Sequence, residues 1–363
     1  MKPGEKCAPE RVRSQILSIF DAWGMEAALA RTAADVMVET DLAGVDSHGV
    51  SMLMDYDESR RKGRLNLKAR PKVVRDGPVT ALIDADAGLG HPAAVMAMNL
   101  ALDKAKAMGV AAVTVFNSHH FGAAGYYAAL ASKRGMLGMV TSATRTIAVV
   151  PTRGSVPVLG TNPIAFAAPA KRNPAFLLDM ASSAAANNKV KVYGLHGKPI
   201  PPGWVFDDAG QPVTDADAAL EILYNTKKGG LTPLGGTPEM SSHKGYGLAL
   251  MVHILGGTLS GASFSPIRVK TQKANEPDRL GHFFLAIDPK AFRAEGAFED
   301  DLDAVIDVLH QTPPLDAARP VLVPGDPEAA ARKERLRDGI PIPDSLRKKI
   351  RQVCENSGVA CIL

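Results

Sequence analysis

The stretch Asn117–Tyr127 has the sequence N-S-H-H-F-G-A-A-G-Y-Y and joins two different chain patterns. The apolar, β-branched run V-A-A-V-T-V-F at residues 110–116 precedes it and predicts a buried strand. The small residues 122–131 follow it and predict a helix. A strand that enters a helix through a polar corner places side chains at the rim of a sheet, where clefts form. We therefore expect a functional site at this corner.

Two histidines, His119 and His120, occupy the corner. Histidine there suits proton transfer, because its unperturbed pKa lies near neutrality. The alternative is that one ring caps the following helix and the other only fills space. The residue types of the corner leave both interpretations open.

In the rest of the chain, strand and helix patterns alternate only part of the time. Strands are predicted at 80–86, 136–142, 165–168, 176–179 and 283–287, and a strong helix at 92–108. Further helices are predicted at both chain ends, within 9–45, 52–62, 304–310, 328–337 and 343–354. Residues 194–240 are rich in Gly and Pro and predict long loops with one short helix near 216–223.

These patterns predict an α+β or mixed α/β fold with a mixed sheet flanked by helices. Residues 73–288 would form the sheet domain. Residues 1–72 and 289–363 would form a helical domain together, because each chain end alone is too small to bury a core.

Composition excludes several classes of protein. The 363 residues carry a net charge of +4 and 5% aromatic residues, so we expect no nucleic-acid partner. The longest uncharged run, 245–267, contains five glycines and a proline, which predicts a buried helix and turn rather than a membrane span. The three cysteines form no C-x-x-C pair, and the N-terminus lacks an apolar signal sequence. We therefore expect a cytoplasmic protein.

Four other polar segments interrupt the apolar patterns. They are Asp46–Gly49, Thr161–Pro163, Leu178–Ser182 and Ser242–Gly247. Each has an ordinary alternative as a helix cap or a turn. The last could also place backbone N–H groups and Lys244 on a phosphate.

Nucleotide and metal motifs are weak in this chain. No G-x-G-x-x-G follows a strand, and the nearest match, at Gly245–Gly247, lacks the third glycine, which disfavours a Rossmann fold. No P-loop motif occurs. His48, His119 and His120 have no carboxylate at ligand spacing, so we expect no metal site.

Taken together, these polar segments and the residues around them resemble sequence motifs of the malate/L-lactate/ureidoglycolate dehydrogenase family. That family also contains sulfolactate dehydrogenases and piperideine/pyrroline-2-carboxylate reductases. The resemblance runs in order from about residue 10 to 345. Its motifs are D-S-H-G (46–49), N-S-H-H-F-G-A-A-G-Y-Y (117–127), G-T-N-P-I-A-F-A-A-P (160–169), L-D-M-A-S-S (178–183), H-K-G-Y-G-L-A-L-M-V (243–252) and P-G-D (324–326).

The resemblance implies an oxidoreductase that uses NAD or NADP in a non-Rossmann domain and acts on a small carboxylate as a homodimer, with sites near the subunit interface. His120 would be the catalytic acid/base. The substrate-side positions would be Ser47, His48, Met52 and Tyr56. The cofactor contacts would be Thr144, Thr161, Asp179, Met180, Ala181, His243, Lys244, Gly325 and Asp326.

The sequence departs from the family at Met52, where many members carry an arginine that can grip a substrate carboxylate as a fork. Arg60 and Arg61 lie two turns further on, roughly 12 Å along a helix axis, too far for a simple substitute. The segment 184–189 also differs from the small residues usual in the family.

Three functions follow from this resemblance and its departures. The first is a 2-hydroxy/2-keto acid dehydrogenase, the second a cyclic-imine reductase, and the third an inactive ligand-binding homologue. The choice between NAD and NADP stays open, with Lys171, Arg172, Lys189 and Lys191 as candidate partners of a 2′-phosphate.

Overall fold

The computed structural model describes residues 5–262, 271–273 and 275–363, and its helices follow the predicted pattern closely. The described helices are α1 (Pro9–Ala22), α2 (Ala27–Leu42), α3 (Leu53–Arg61), α4 (Gly90–Met108), α5 (Ala124–Ser132), α6 (Asn187–Leu195), α7 (Ala216–Asn225), α8 (Ser242–His253), α9 (Ala297–Gln311), α10 (Asp326–Asp338) and α11 (Asp344–Ser357).

The strands form one large sheet and two small ones. They are β1 (Glu5–Cys7), β2 (Lys72–Asp76), β3 (Thr80–Asp84), β4 (Val110–Ser118), β5 (Leu137–Ala143), β6 (Ile164–Ala168), β7 (Phe176–Met180), β8 (Val205–Phe206), β9 (Pro212–Val213), β10 (Gly230–Leu231), β11 (Leu280–Ile287) and β12 (Ile340–Ile342).

The large sheet has the order β2-β3-β4-β11-β5-β6-β7. Strands β3 and β4 run parallel, and the other described neighbours run antiparallel. The late strand β11 lies between β4 and β5, with Phe284 paired to Val113 on one side and to Val140 on the other. The predicted mixed sheet flanked by helices is confirmed.

Helices α4 and α5 cover the middle of this sheet. Their alanines, among them Ala97, Ala101 and Ala128, are fully buried against strand residues such as Val113 and Phe284. Alanine is the best helix former and lets a helix approach a sheet closely. The start of α5 is thereby held near the ends of β4 and β5.

The two chain ends meet. Strand β1 pairs with β12, and α1, α2 and α11 share a core that contains Ile16, Phe20 and Ile350. Helix α9, in contrast, contacts the loop after β6, where Asp303 accepts backbone N–H bonds from Lys171, Arg172 and Asn173. The division into domains 1–72 with 289–363 and 73–288 stays a prediction.

Residues 187–231 hold more structure than their composition indicates. Helices α6 and α7 pack with a three-stranded sheet of order β10-β8-β9 around a core that includes Val190 and Leu231. The prediction of long loops with one helix was incomplete, because strands of two residues produce no readable periodicity.

The uncharged run at 245–267 is described as far as residue 262, where α8 continues into a π-helical turn, Ile254–Thr258. Residues 263–267 lie outside the described part. Among the residues that the structure describes, no helix combines the length and apolar character needed to cross a bilayer.

Candidate active site

A cavity of about 480 Å³ lies at the rim of the large sheet, beside the start of α5. Many of the predicted site residues line it together. They are Ser47, His48, His120, Thr144, Thr161, Asp179, Met180, Ala181 and Gly325. Segments far apart in the chain thus meet at one cleft.

Two parts of this site differ in character. The histidine wall consists of His48 and His120, which line the cavity, with Tyr56, His91 and His282 behind them. The small-residue wall consists of Gly122, Ala123, Ala124, Gly125, Ala129, Ala175 and Gly325.

His120 is fixed through its Nδ1 atom. The backbone N–H of Gly122 donates to Nδ1 at 3.3 Å, and Tyr56 Oη lies 2.8 Å from the same nitrogen. A backbone N–H can only donate, so Nδ1 accepts and the proton of the neutral ring lies on Nε2. Burial holds the pKa of His120 well below its usual value, and the neighbouring histidines lower it further. The neutral ring therefore presents an Nε2–H donor.

His48 lies next to His120. The two rings stack with centroids 5.5 Å apart, and Ser47 Oγ lies 2.7 Å from His48 Nδ1. Burial lowers the pKa of His48 as well. Two neutral imidazoles and a hydroxyl thus face the same part of the cavity.

Tyr56 lies behind His120 with only 1% of its surface exposed. Its hydroxyl also lies 3.3 Å from Nε2 of the fully buried His91. Burial raises the pKa of Tyr56 well above its usual value, so the hydroxyl keeps its proton and can donate to His120. The structure therefore places Tyr56 against the imidazole, outside the described cavity lining.

Met52, predicted on the substrate side, packs against the core of the chain ends. It is outside the lining formed by the described residues. His243 and Lys244 lie exposed in the first turn of α8, which begins at Ser242, and are also outside that lining. Their roles, and that of Met52, stay predictions.

Asp326 is the first residue of α10. Its carboxylate accepts the Val323 N–H at 2.7 Å and lies 2.7 Å from His310 Nε2. The neighbouring Gly325 (φ +107°) reaches the cavity, and a Cβ there would lie 2.7 Å from the Ala175 carbonyl oxygen. The P-G-D corner thus brings its glycine, rather than its aspartate, to the described lining.

Among the predicted cofactor contacts, Asp179 is an acidic residue that lines the cavity. It accepts the Gly125 N–H at 2.7 Å, and burial raises its pKa to about 6 despite that hydrogen bond. Gly125 has no room for a side chain, because a Cβ would lie 2.9 Å from Asp179 Oδ2. The carboxylate therefore closes directly onto the first turn of α5.

His282 was missed by the sequence analysis. It lies on β11, fully buried, with Ser142 Oγ 2.8 Å from Nδ1 and Ser118 Oγ 3.0 Å from Nε2. Its ring stacks on Phe121 with centroids 4.3 Å apart. Burial lowers its pKa to about 3. A lone histidine in an apolar strand gives no sequence signal of this network.

A charged cluster around Asp278 was missed as well. His119 Nε2 lies 2.8 Å from Asp278 Oδ2, while Arg145 Nε and Arg64 Nη1 lie 3.4 Å and 3.9 Å from Oδ1. Burial acts to raise the pKa of Asp278, but the contacts with His119, Arg145 and Arg64 prevail and hold it below its usual value. Arg145 also lines the cavity.

The described residues include no group of three or more His, Cys, Asp or Glu side chains that could hold a metal ion.

Comparison with known proteins gives a consistent picture. A sequence model of a family described as malate/L-lactate dehydrogenase matches residues 7–351. Malate dehydrogenase of Pyrococcus horikoshii is 38% identical over 351 residues, which cover 96% of this chain and 95% of that protein. A Δ1-pyrroline-2-carboxylate/Δ1-piperideine-2-carboxylate reductase of Pseudomonas aeruginosa is 30% identical, covering 95% of this chain and 98% of that protein. The crystal structure of malate dehydrogenase from Entamoeba histolytica superposes with a TM-score of 0.93 at 29% identity, covering 99% of this chain and 100% of that one.

Proposed function

The chain belongs to the malate/L-lactate dehydrogenase family of oxidoreductases, and from that premise we propose that it transfers a hydride between NAD or NADP and a small 2-hydroxy/2-keto acid, with His120 as general acid/base. The observation that carries this proposal is the His120 ring, held at Nδ1 and presented to a cavity beside a second neutral imidazole.

The cavity suits a nicotinamide cofactor. Its volume of about 480 Å³ falls in the range of small-molecule sites. Glycines 122, 125 and 325 keep side chains out of the space, and Thr144 and Thr161 supply hydroxyl groups along the lining. Asp179 adds a carboxylate that could accept a ribose hydroxyl. When bound, such a cofactor supplies the hydride acceptor or donor, and the protein supplies orientation.

We propose that the cofactor is held by the large sheet in a non-Rossmann manner. A Rossmann site lies at the carboxyl ends of parallel strands with a glycine-rich first turn. Here most described neighbours in the sheet run antiparallel, and the cavity lies beside the β4–α5 corner.

His120 handles the proton. In the reducing direction the protonated ring donates from Nε2 to the oxygen of the keto group, while its Nδ1–H is accepted by Tyr56 Oη. In the oxidising direction the neutral ring takes the other tautomer, in which Nδ1–H donates to Tyr56 Oη and Nε2 accepts the hydroxyl proton. Tyr56 matches both states, since a phenol can donate to Nδ1 or accept from it. Ser47 and His48 can orient the same oxygen.

Two further elements of the proposal concern assembly and location. A homodimer with sites near the subunit interface follows from the family resemblance. A cytoplasmic location is supported by the three free cysteines, Cys7, Cys354 and Cys361.

The test is a spectrophotometric assay. Purified protein is mixed with NADH or NADPH and with oxaloacetate, pyruvate, glyoxylate or pyrroline-2-carboxylate, and reduced nicotinamide is followed by absorbance. We expect turnover of at least one keto acid, and a loss of about 10²–10⁴-fold in His120→Gln. Activity unchanged in His120→Gln would contradict the acid/base role. A wild-type protein that binds cofactor but turns over nothing would support an inactive homologue instead.

A cyclic-imine reductase is the second candidate. It is favoured by Met52, which stands where many family members carry an arginine and packs against the core of the chain ends, and by the Pseudomonas aeruginosa relative. Turnover of pyrroline-2-carboxylate without turnover of any keto acid would select this candidate.

A further inference from the structure

Arg145 directly follows Thr144 after β5 and lines the cavity. Strand register places it near His120. Ser118, at the end of β4, pairs with Leu280, and Ala143, at the end of β5, pairs with Gly281. The His119–His120 and Thr144–Arg145 segments therefore leave the sheet at the same rim with one strand between them, roughly 10 Å apart at the backbone. Side chains from both segments can reach one small molecule.

The cluster around Asp278 holds Arg145 in place and carries excess positive charge. Arg145 and Arg64 both approach Asp278 Oδ1, and His119 approaches Oδ2. The Asp278 side chain is only 2% exposed and stays ionised. Within the cluster, two guanidinium groups face the one carboxylate of Asp278.

Two acidic residues of α3, Asp55 and Glu58, lie close enough to Arg145 to interact with its charge. Burial raises the pKa of Asp55, and the charges of Arg145, Lys349 and Arg64 oppose that rise. Glu58 makes its own salt bridge with Lys62. Asp55 and Glu58 therefore interact with Lys349, Lys62 and Arg64 as well as with Arg145.

The other described cations of the cavity are less suited to an anion beside His120. Arg332 binds Glu39 through two contacts, at 3.0 Å and 3.3 Å. Lys133 follows the last residue of α5, about 13 Å along the helix from its start. On α3, Arg60 and Arg61 both bind Asp57.

We propose that Arg145, whose Nε lies 3.4 Å from Asp278 Oδ1, binds the substrate carboxylate. The proposal rests on the proposed function and specifies its substrate class: an acid whose ionised carboxylate lies next to the carbon that reacts at His120. A guanidinium suits this task because its paired N–H groups match the two oxygens of a carboxylate.

Binding and turnover are measured in wild type, Arg145→Gln and Arg145→Lys. The matched control is Arg153→Gln, an exposed arginine of the same β5–β6 connection. The binding probes are oxamate and hydroxymalonate, which are unreactive analogues of a keto acid and a hydroxy acid, and the uncharged oxamide. Each is titrated calorimetrically into the NADH complex, and NADH affinity is measured by fluorescence as a control for the fold.

We expect at least one anionic probe to bind wild type and Arg153→Gln alike, and to bind Arg145→Gln at least about 30-fold more weakly. NADH and oxamide affinities should stay unchanged. The ratio of kcat/KM for pyruvate to that for methyl pyruvate should fall by a similar factor in Arg145→Gln. Arg145→Lys should be intermediate, since it keeps the charge and loses the fork.

Equal binding of the anions to wild type and Arg145→Gln, or anion binding to wild type no tighter than that of oxamide, would overturn the proposal. If Arg145→Gln also loses NADH, Arg145→Lys decides: at least fivefold weaker anion binding supports the proposal, and unchanged binding overturns it. Arg145-dependent binding without any turnover would leave the anion site standing and remove the proposed function.

Discussion

The histidine wall and the small-residue wall face the same cavity but act in opposite ways. The first brings imidazole rings together, and burial lowers the pKa of His48, His120, His91 and His282. The second brings backbone close to the cavity by leaving side chains out, as at Gly125 and Gly325. In the proposed function the first wall handles the proton, and the second leaves space for the cofactor.

This difference determines which substitutions harm each wall. Behind His120, the Tyr56 hydroxyl lies within hydrogen-bond distance of both His120 Nδ1 and His91 Nε2, so its deletion leaves those nitrogens without this partner. On the small-residue wall an addition is damaging, because it fills volume that a ligand needs. Substitutions that remove atoms from the histidine wall and substitutions that add atoms to the small-residue wall therefore test this difference.

Apart from the loss of activity expected in His120→Gln, the largest effect is expected from Ala129→Leu. Ala129 lies on the cavity face of α5, and leucine is a good helix former, so the helix should persist while the added atoms enter the cavity. We expect NADH to bind about 100-fold more weakly, which is a loss of ~2.7 kcal/mol in binding free energy. The measurement is a fluorescence titration with NADH.

The control for this substitution is Ala218→Leu, on the exposed side of α7. It adds the same atoms and should change neither the nicotinamide affinity nor the melting temperature. Unaltered nicotinamide affinity in Ala129→Leu would show that this wall does not receive the cofactor.

A smaller effect is expected from Tyr56→Phe. The substitution keeps the ring in its buried place and removes the hydroxyl that lies 2.8 Å from His120 Nδ1. The protonated imidazole then loses its acceptor, so kcat for keto-acid reduction should fall about tenfold. The pH at which kcat declines should also become lower, because the His120 imidazolium is less stable without the Tyr56 hydroxyl.

Tyr193→Phe serves as the control, since Tyr193 packs edge-on against Trp204 away from the described cavity lining. A pH profile that moves equally in both variants, or in neither, would show that Tyr56 only fills space behind the ring.

The predictability of the two walls also differs, for a physical reason. The corner at 117–127 could be predicted because strand, histidines and helix are adjacent in sequence, and the family motifs marked Asp179 and Gly325. His282, Asp278 and Arg145 were not predicted as parts of the site. Strand β11 inserts between β4 and β5 from some 160 residues away in the chain and carries His282 to Ser118. Local patterns do not encode such pairings, so the groups behind His120 and the charge beside it emerge only from the fold.

The smallest effect concerns stability and His282. Its folded pKa of about 3 lies below the ordinary value of 6.5, so on acidification the unfolded chain takes up a proton that the folded chain refuses. Its contribution to the free energy of unfolding is thus complete above pH 6.5 and is lost as pH falls from there toward 3. The loss amounts to about 1 kcal/mol between pH 6.5 and 5.5.

In His282→Gln, whose amide can still bridge Ser118 and Ser142, the free energy of unfolding should fall less over this interval. The measurement is urea unfolding at both pH values, with the exposed His196→Gln as control. If wild type and His282→Gln lose equal stability over the interval, His282 is not buried as a neutral ring, and the histidine wall ends at Tyr56 and His91.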